Sequence, residues 1–304
     1  MRIISVLLTI ILAACVSLAA MACEACSCDV CLLEPAQKSL APKKDLFSLS
    51  YCAASYNTII SATIIQPSIG AGLYIGTLQL YYQHTFDDSL KGVIITPFIN
   101  RVSSLNGITT DSSSGLGDIT GLLRYTVMQG SDYSFTLQGG IKTATGSKKD
   151  GTGTTKFSPK LVVGTGSTDP IIGAIYSKTF DKQWNMSADA LYRMPAAGYD
   201  GYQFGNILNF GVNGYYKYSD NFRLGLGVVG ESAAPNTDTQ GVVTGVAGTA
   251  PNTGLTLVFL QPVIQYTSGD LSADIAYQAP VYRSMVGTQL VVDSRITGSI
   301  RMAF

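Results

Sequence analysis

From about residue 46 to the C-terminus the sequence alternates apolar and polar residues with a period of two, over runs longer than an ordinary soluble strand. In 133–143 the odd positions are Tyr133, Phe135, Leu137, Gly139 and Ile141, and Ser134, Thr136, Gln138 and Lys142 face the other way. In 184–194 Trp184, Met186, Ala188, Ala190 and Tyr192 share a face opposite Asn185, Ser187, Asp189 and Arg193. The last stretch, 289–304, sets Leu290, Val292, Ile296, Ile300, Met302 and Phe304 against Asp293, Arg295, Thr297, Ser299 and Arg301. Successive side chains point to opposite faces only in a strand, so this is strand geometry.

Strands of soluble sandwiches average about 5–6 residues. These runs are about twice that, the length of about 9–11 residues that a membrane-crossing strand needs, and aromatics sit near their apolar ends. The expected architecture is therefore all-β, a transmembrane antiparallel up-and-down barrel of about 12 strands. The pattern predicts strands at 46–56, 71–85, 92–102, 115–128, 133–144, 168–179, 184–194, 204–218, 222–233, 255–267, 271–281 and 290–304. Short polar turns such as Asp87-Asp88-Ser89 and Gly130-Ser131-Asp132 alternate with longer segments at 57–70, 103–114, 145–167, 195–203, 234–254 and 282–289. Outer-membrane barrels have short periplasmic turns and longer outer loops, so both termini are expected in the periplasm.

Charged residues make up 13% of the 304 and cancel formally to zero, while Gly reaches 32 and Tyr 17. Zero net charge gives no electrostatic reason to expect nucleic acid as a partner. Residues 1–22 read as a secretory signal: Arg2 is the positive n-region, and Ile3–Leu12 is apolar apart from Ser5 and Thr9. Cleavage after Ala20-Met21-Ala22 leaves Cys23 first; Leu12-Ala13-Ala14-Cys15 alternatively resembles a lipobox, at the cost of an unusually short signal. No other segment holds 18 consecutive apolar residues, so no transmembrane helix is expected in the mature chain.

The polar face of the strands supplies candidate lumen-lining residues of mixed sign: Asp118, Arg124, Lys142, Asp189, Arg193, Lys217, Arg223, Glu231, Asp274, Asp293, Arg295 and Arg301. They either pair across a narrow interior or line a solute path and set its polarity. Twelve strands leave a bore between the packed interior of about eight and the aqueous channel of about sixteen, which argues against a wide, unselective pore. No catalytic residues are expected. The one histidine, His84, lies beside Tyr81, Tyr82 and Phe86 near a strand end, with no serine and orienting group placed to make it a general base. Gly146 to Gly153 mimics a phosphate loop, but Thr152 stands where a lysine belongs and no helix follows.

Between the signal and the first strand, 23–45, lies a Cys-rich segment with Cys23-x2-Cys26-x-Cys28-x2-Cys31; Cys52 follows on the polar face of the first strand. Three readings stand: disulfides, suited to an oxidising compartment; a soft-metal site, since thiolates suit Cu(I), Zn(II) or an Fe–S cluster; and a lipidated or exchange-active Cys23. The spacing fits no zinc ribbon or finger, whose paired ligands lie far apart.

Four stretches carry a family resemblance: GLGDITGLLRYTVM (115–128), GGIKTATGSKKDG (139–151), VGTGSTDPIIGAIYSKTF (163–180) and SADALYRM (187–194). Over roughly 110–304 the chain resembles the outer-membrane proteins grouped as the MetA-pathway of phenol degradation. The resemblance implies an outer-membrane barrel that helps move small, often aromatic or hydrophobic, compounds. The terminal Phe304 on an alternating strand resembles the C-terminal signal read by the bacterial barrel-assembly machinery. The expectation is thus a signal peptide (1–22), a Cys-rich periplasmic segment (23–45) and a barrel (46–304) in outer-membrane lipid, acting as a channel for small solutes. The rival expectation is an anchored barrel that presents the cysteines to periplasmic metal or an electron carrier.

Overall fold

The computed structural model describes residues 44–148 and 158–304. They form one closed antiparallel barrel of twelve staves. In chain order these are β1 (Leu46–Ser61), β2 (Ala71–Thr85), β3 (Leu90–Leu105), β4a (Ile108–Leu116) with β4b (Thr120–Gln129), β5 (Tyr133–Lys142) and β6 (Asp169–Thr179). They continue with β7 (Trp184–Arg193), β8 (Ile207–Lys217), β9 (Phe222–Ala233), β10 (Leu255–Ser268), β11 (Leu271–Met285) and β12 (Thr288–Ala303). Each stave pairs with the next, and β12 returns to β1 in a register running from Leu46–Ala303 to Ser61–Thr288. Closure leaves no full-length edge strand exposed, which is the condition for a sheet in hydrocarbon.

Two segments that read as loops are strands. β3 and β4a continue as a hairpin through Asn106-Gly107, both at positive φ, and β11 meets β12 across Val286-Gly287. Both ends of an Asn-Gly pair tolerate positive φ, which the tight hairpin turn requires. The Ser- and Thr-rich 103–114 looks like loop because both of its faces are polar, with no apolar alternation to mark it. At the opposite end the turns, between Thr85 and Leu90 for example, are short; this is called the turn end below and the other the loop end.

The outward face is apolar. Along β2, Tyr74, Leu78, Leu80 and Tyr82 are all more than a third exposed, and the same holds for Leu224, Leu226 and Val228 on β9. Aromatics crowd the turn end: Phe47, Tyr125, Tyr133, Trp184, Phe222 and Tyr266. Trp184 packs on Tyr216 and Phe222 on Tyr266, with ring centroids 5.0 Å apart in each pair. A soluble protein rarely exposes apolar patches of this extent, and a lipid bilayer covers them.

Two irregularities matter for the interior. The β1–β12 register slips around Tyr56, so that Asn57 and Asp293 both drop out of the pairing. Asp293 Oδ2 there accepts from the backbone and the side-chain amide of exposed Asn57, at 2.7 and 2.9 Å. Asp293 therefore leaves the inward row in which strict alternation puts it, because a bulge adds a residue and re-aims its side chain. The second irregularity is the break at residues 117–119. β4a and β4b lie along the same β3, but only β4b reaches β5.

At the turn end Asp45 clasps the seam. Its amide and carbonyl exchange bonds with Phe304, both 3.0 Å. Its carboxylate accepts from the Thr85 N–H and the Tyr82 hydroxyl, each 2.8 Å, and lies 2.8 Å from His84 Nδ1. The Thr85 amide first, then His84 and Tyr82, hold this carboxyl down at about 2. A depressed carboxylate stabilises the folded state fully above its unfolded pKa, about 3.9, and loses that contribution as pH falls through the folded value. The clasp should therefore weaken between about pH 4 and pH 2. Carboxyl NMR of micelle-bound protein should show Asp45 titrating near the lower limit and moving upward in His84→Ala; titration near 4 in the wild type would sink the assignment.

Candidate functional site: the barrel interior

Inward-facing residues divide into two chemistries along the barrel axis. In the turn-end half amides, hydroxyls and paired charges predominate, beside smaller apolar patches at Tyr215, Val263 and Ala276 and at Tyr81, Val93 and Ile95. Gln278 donates to Gln261 (2.7 Å), which donates to Asn213 (3.3 Å). Arg301 lies 2.5 Å from Asp274, whose same oxygen accepts from Ser299 at 2.6 Å. Arg124 donates to Gln138 and to the Tyr81 hydroxyl, and its guanidinium lies over the Tyr81 ring. Buried polar groups must find partners, and these strands supply them from neighbouring staves at matching register.

Toward the loop end stand two ion-pair groups. Glu231, fully buried, accepts from Arg295 at 3.4 Å, and Arg295 also stacks 4.7 Å over the Phe259 ring. Asp118, Lys142 and Asp169 form a second group: Lys142 Nζ is 2.7 Å from Asp118 and 3.0 Å from Asp169, and Arg193 Nε approaches Asp169 at 3.9 Å. All of these side chains are nearly inaccessible. A charge removed from water at this depth is tolerated only when it is paired and hydrogen-bonded.

Eight of the twelve charged residues picked from the alternation are buried on the inward face: Asp118, Lys142, Asp189, Arg193, Glu231, Asp274, Arg295 and Arg301. Arg124 is half-buried there. Lys217 is instead at the turn-end rim, 2.7 Å from exposed Asp220 in the following turn, and Arg223 is half-buried two residues beyond that turn. Lys217 pairs within its turn because a strand's last inward residue already meets solvent. Asp169, Thr165 and Arg101 were missed. The first two were signalled by the run Gly164-Thr-Gly-Ser-Thr-Asp169, and Arg101 by its place on β3's inward row.

The larger surprise is an extensive apolar cluster in the loop-end half of the interior, alongside these ion pairs. Tyr56, Ile75, Ile99, Leu257, Phe259 and Val292, from five different staves, belong to one buried cluster. A second cluster, around Tyr81, Ile95, Leu122, Ile171 and Leu191, lines the β2–β7 wall. Above them, loop residues Val162, Tyr202, Phe204 and Ala250 form a third cluster beside a small three-stranded sheet. Asp238 fixes that sheet's loop: burial opposes its charge, but donors from Thr244, Val243 and Gly241 hold its carboxyl below the usual range.

Cys52 is buried on the inward face of β1. Cys23, Cys26, Cys28 and Cys31 lie outside the described residues. Among the described residues no group of three or more His, Cys, Asp or Glu is arranged to hold a metal ion.

Twelve closed staves with an apolar outside define the class: a membrane-spanning β-barrel of the outer-membrane type. The chain shares its fold with an outer membrane channel from Pseudomonas putida F1, with a TM-score of 0.72 and 14% identity over 90% of this chain and 100% of that one. Weaker likenesses include a mutant of the monoaromatic hydrocarbon channel TodX (TM-score 0.49, 10% identity, 91% and 94% covered). Another is the β domain of the Bordetella autotransporter BrkA (TM-score 0.46, 10% identity, 84% and 99% covered). No family model matches the sequence, and comparison with curated proteins finds no relative.

Proposed function

We propose that this chain is a narrow outer-membrane channel for small apolar, including aromatic, solutes. The observation that carries the reading is the apolar loop-end interior: Tyr56, Ile75, Ile99, Leu257, Phe259 and Val292 face inward where a water-filled pore presents polar groups. An apolar solute gains about 0.8 kcal/mol per methylene buried against such a wall. The half beyond, richer in amides and hydroxyls and with smaller apolar patches, offers less of this gain, so a solute admitted at the loop end can be released past it. The resemblance to the MetA-pathway family over roughly 110–304 supports the same solute class. On this reading residues 1–22 direct export, residues 23–45 and both termini are periplasmic, the long loops face outward, and Phe304 addresses the assembly machinery.

The test compares bacteria expressing the full chain with bacteria lacking it. Uptake of a labelled neutral monoaromatic compound should rise, while proteoliposomes of the purified chain should swell only slowly in disaccharide. Rapid sugar swelling with no gain in aromatic uptake would replace this reading with a general porin.

A further inference from the structure

The break in the fourth stave is closed by a returning loop. β4a pairs with β3 alone, and its other edge is met by the returning loop: Ser147 N–H donates to the Leu116 carbonyl (3.1 Å) and Gly164 N–H to the Ser147 carbonyl (2.8 Å). The Ser113 hydroxyl donates to the Leu161 carbonyl at 2.7 Å. The backbones cross so closely that a Cβ on Gly164 would stand 2.3 Å from the Gly146 carbonyl carbon, and one on Gly146 2.8 Å from that of Gly117. Only glycine fits at such an approach.

Asp118 ties the crossing together. Its Oδ1 accepts from the Gly146 N–H at 2.8 Å; its Oδ2 accepts from the Thr165 N–H (2.9 Å), the Thr165 hydroxyl (2.6 Å) and Lys142 (2.7 Å). Charge-assisted bonds of this kind are about twice as strong as neutral ones, and four on one buried carboxylate fix both limbs of the loop. The consequence falls on the two residues before Gly164. Val162 joins the loop cluster with Tyr202 and Phe204, while Val163 joins the inward apolar cluster with Ile99 and lies against Gly115. The segment thus stands between the loops and the apolar interior, tied to β4a through Ser113 and to the 117–119 break through Asp118.

We propose that Leu161–Ser167 is the constriction of the channel, with Val163 its size-determining side chain and Asp118 the positioning residue that latches it. The inference rests on the channel reading above. Val163 sets how large a solute passes because it is the loop's contribution to the apolar path. Asp118 acts through Thr165 and Gly146 without touching solute.

Full-length protein is studied in planar bilayers and in cells, using a one-ring and a two-ring neutral aromatic. Val163→Gly should raise single-channel conductance and two-ring uptake. Val163→Trp should lower one-ring uptake by about tenfold, the low end of discrimination for a small size change in an apolar pocket. Asp118→Asn should give larger, flickering openings and abolish the difference between the two Val163 variants when combined with each. Circular dichroism and heat-modifiable gel mobility confirm that each barrel is folded. If Asp118→Asn does not fold, Thr165→Val, which removes one donor, takes its place with the same expected coupling. Folded Val163 variants with wild-type conductance and size preference overturn the constriction while leaving the channel reading intact. A wild-type protein with neither conductance nor aromatic uptake overturns the channel reading itself.

Discussion

Replacing Arg295 with methionine should destabilise the barrel by about 3–5 kcal/mol, the range for removing one partner of a buried ion pair. Glu231 is fully buried and Arg295 nearly so, and their contact is 3.4 Å. Without the guanidinium, Glu231 keeps a charge in a site lined by Phe259, Leu257 and Val229, and must either hold it unpaired or take up a proton. Glu231→Leu combined with Arg295→Met should recover most of the loss, because an apolar pair of similar volume carries no desolvation penalty. Denaturant unfolding in lipid vesicles, followed by tryptophan fluorescence at Trp184, measures both. A single variant as stable as the wild type would show that the pair sits in water.

The second large effect is on the outside. Leu78 lies on β2 midway between Tyr74 and Tyr82, the aromatics that mark the two edges of the apolar band on this stave. Leu78→Arg should therefore cost about 2–4 kcal/mol, the value for a cation at the bilayer midplane of a barrel. The same substitution close to the loop end, at Tyr74, should cost about 0–1 kcal/mol because the head group reaches the interface there. Equal costs at the two positions would mean that the band is not where the membrane sits.

The stave count, the chain direction at each turn and the outward face were legible in the sequence, because a period of two survives wherever one face meets lipid. β7 shows this: Trp184, Met186, Ala188, Ala190 and Tyr192 alternate with Asn185, Ser187, Asp189 and Arg193, and inward Leu191 is the one apolar partner. The apolar cluster of the loop-end interior was not legible, because along those stretches both faces are apolar and alternation carries no sign. Leu255-Thr-Leu-Val-Phe-Leu on β10 sends Leu255, Leu257 and Phe259 inward and Val258 and Leu260 outward, a pattern hydropathy alone cannot split. The bulge that displaces Asp293 was equally silent, since an added residue shifts the phase without changing composition. The loop latch lay half in view. Asp118 stood out as an inward charge, but its partners Gly146 and Thr165 are 28 and 47 residues away, and only the closed wall brings them together.

The seam between β1 and β12 joins residues from nearly opposite ends of the described chain, Leu46 with Ala303. Contacts of that separation carry the largest loop-closure entropy a chain can face, so they form last and slowly. Until they do, the nearly finished sheet has two long unsatisfied margins, each ready to zip onto any other β-strand in reach. The Asp45–Phe304 clasp bonds the two margins to each other at the turn end of that seam.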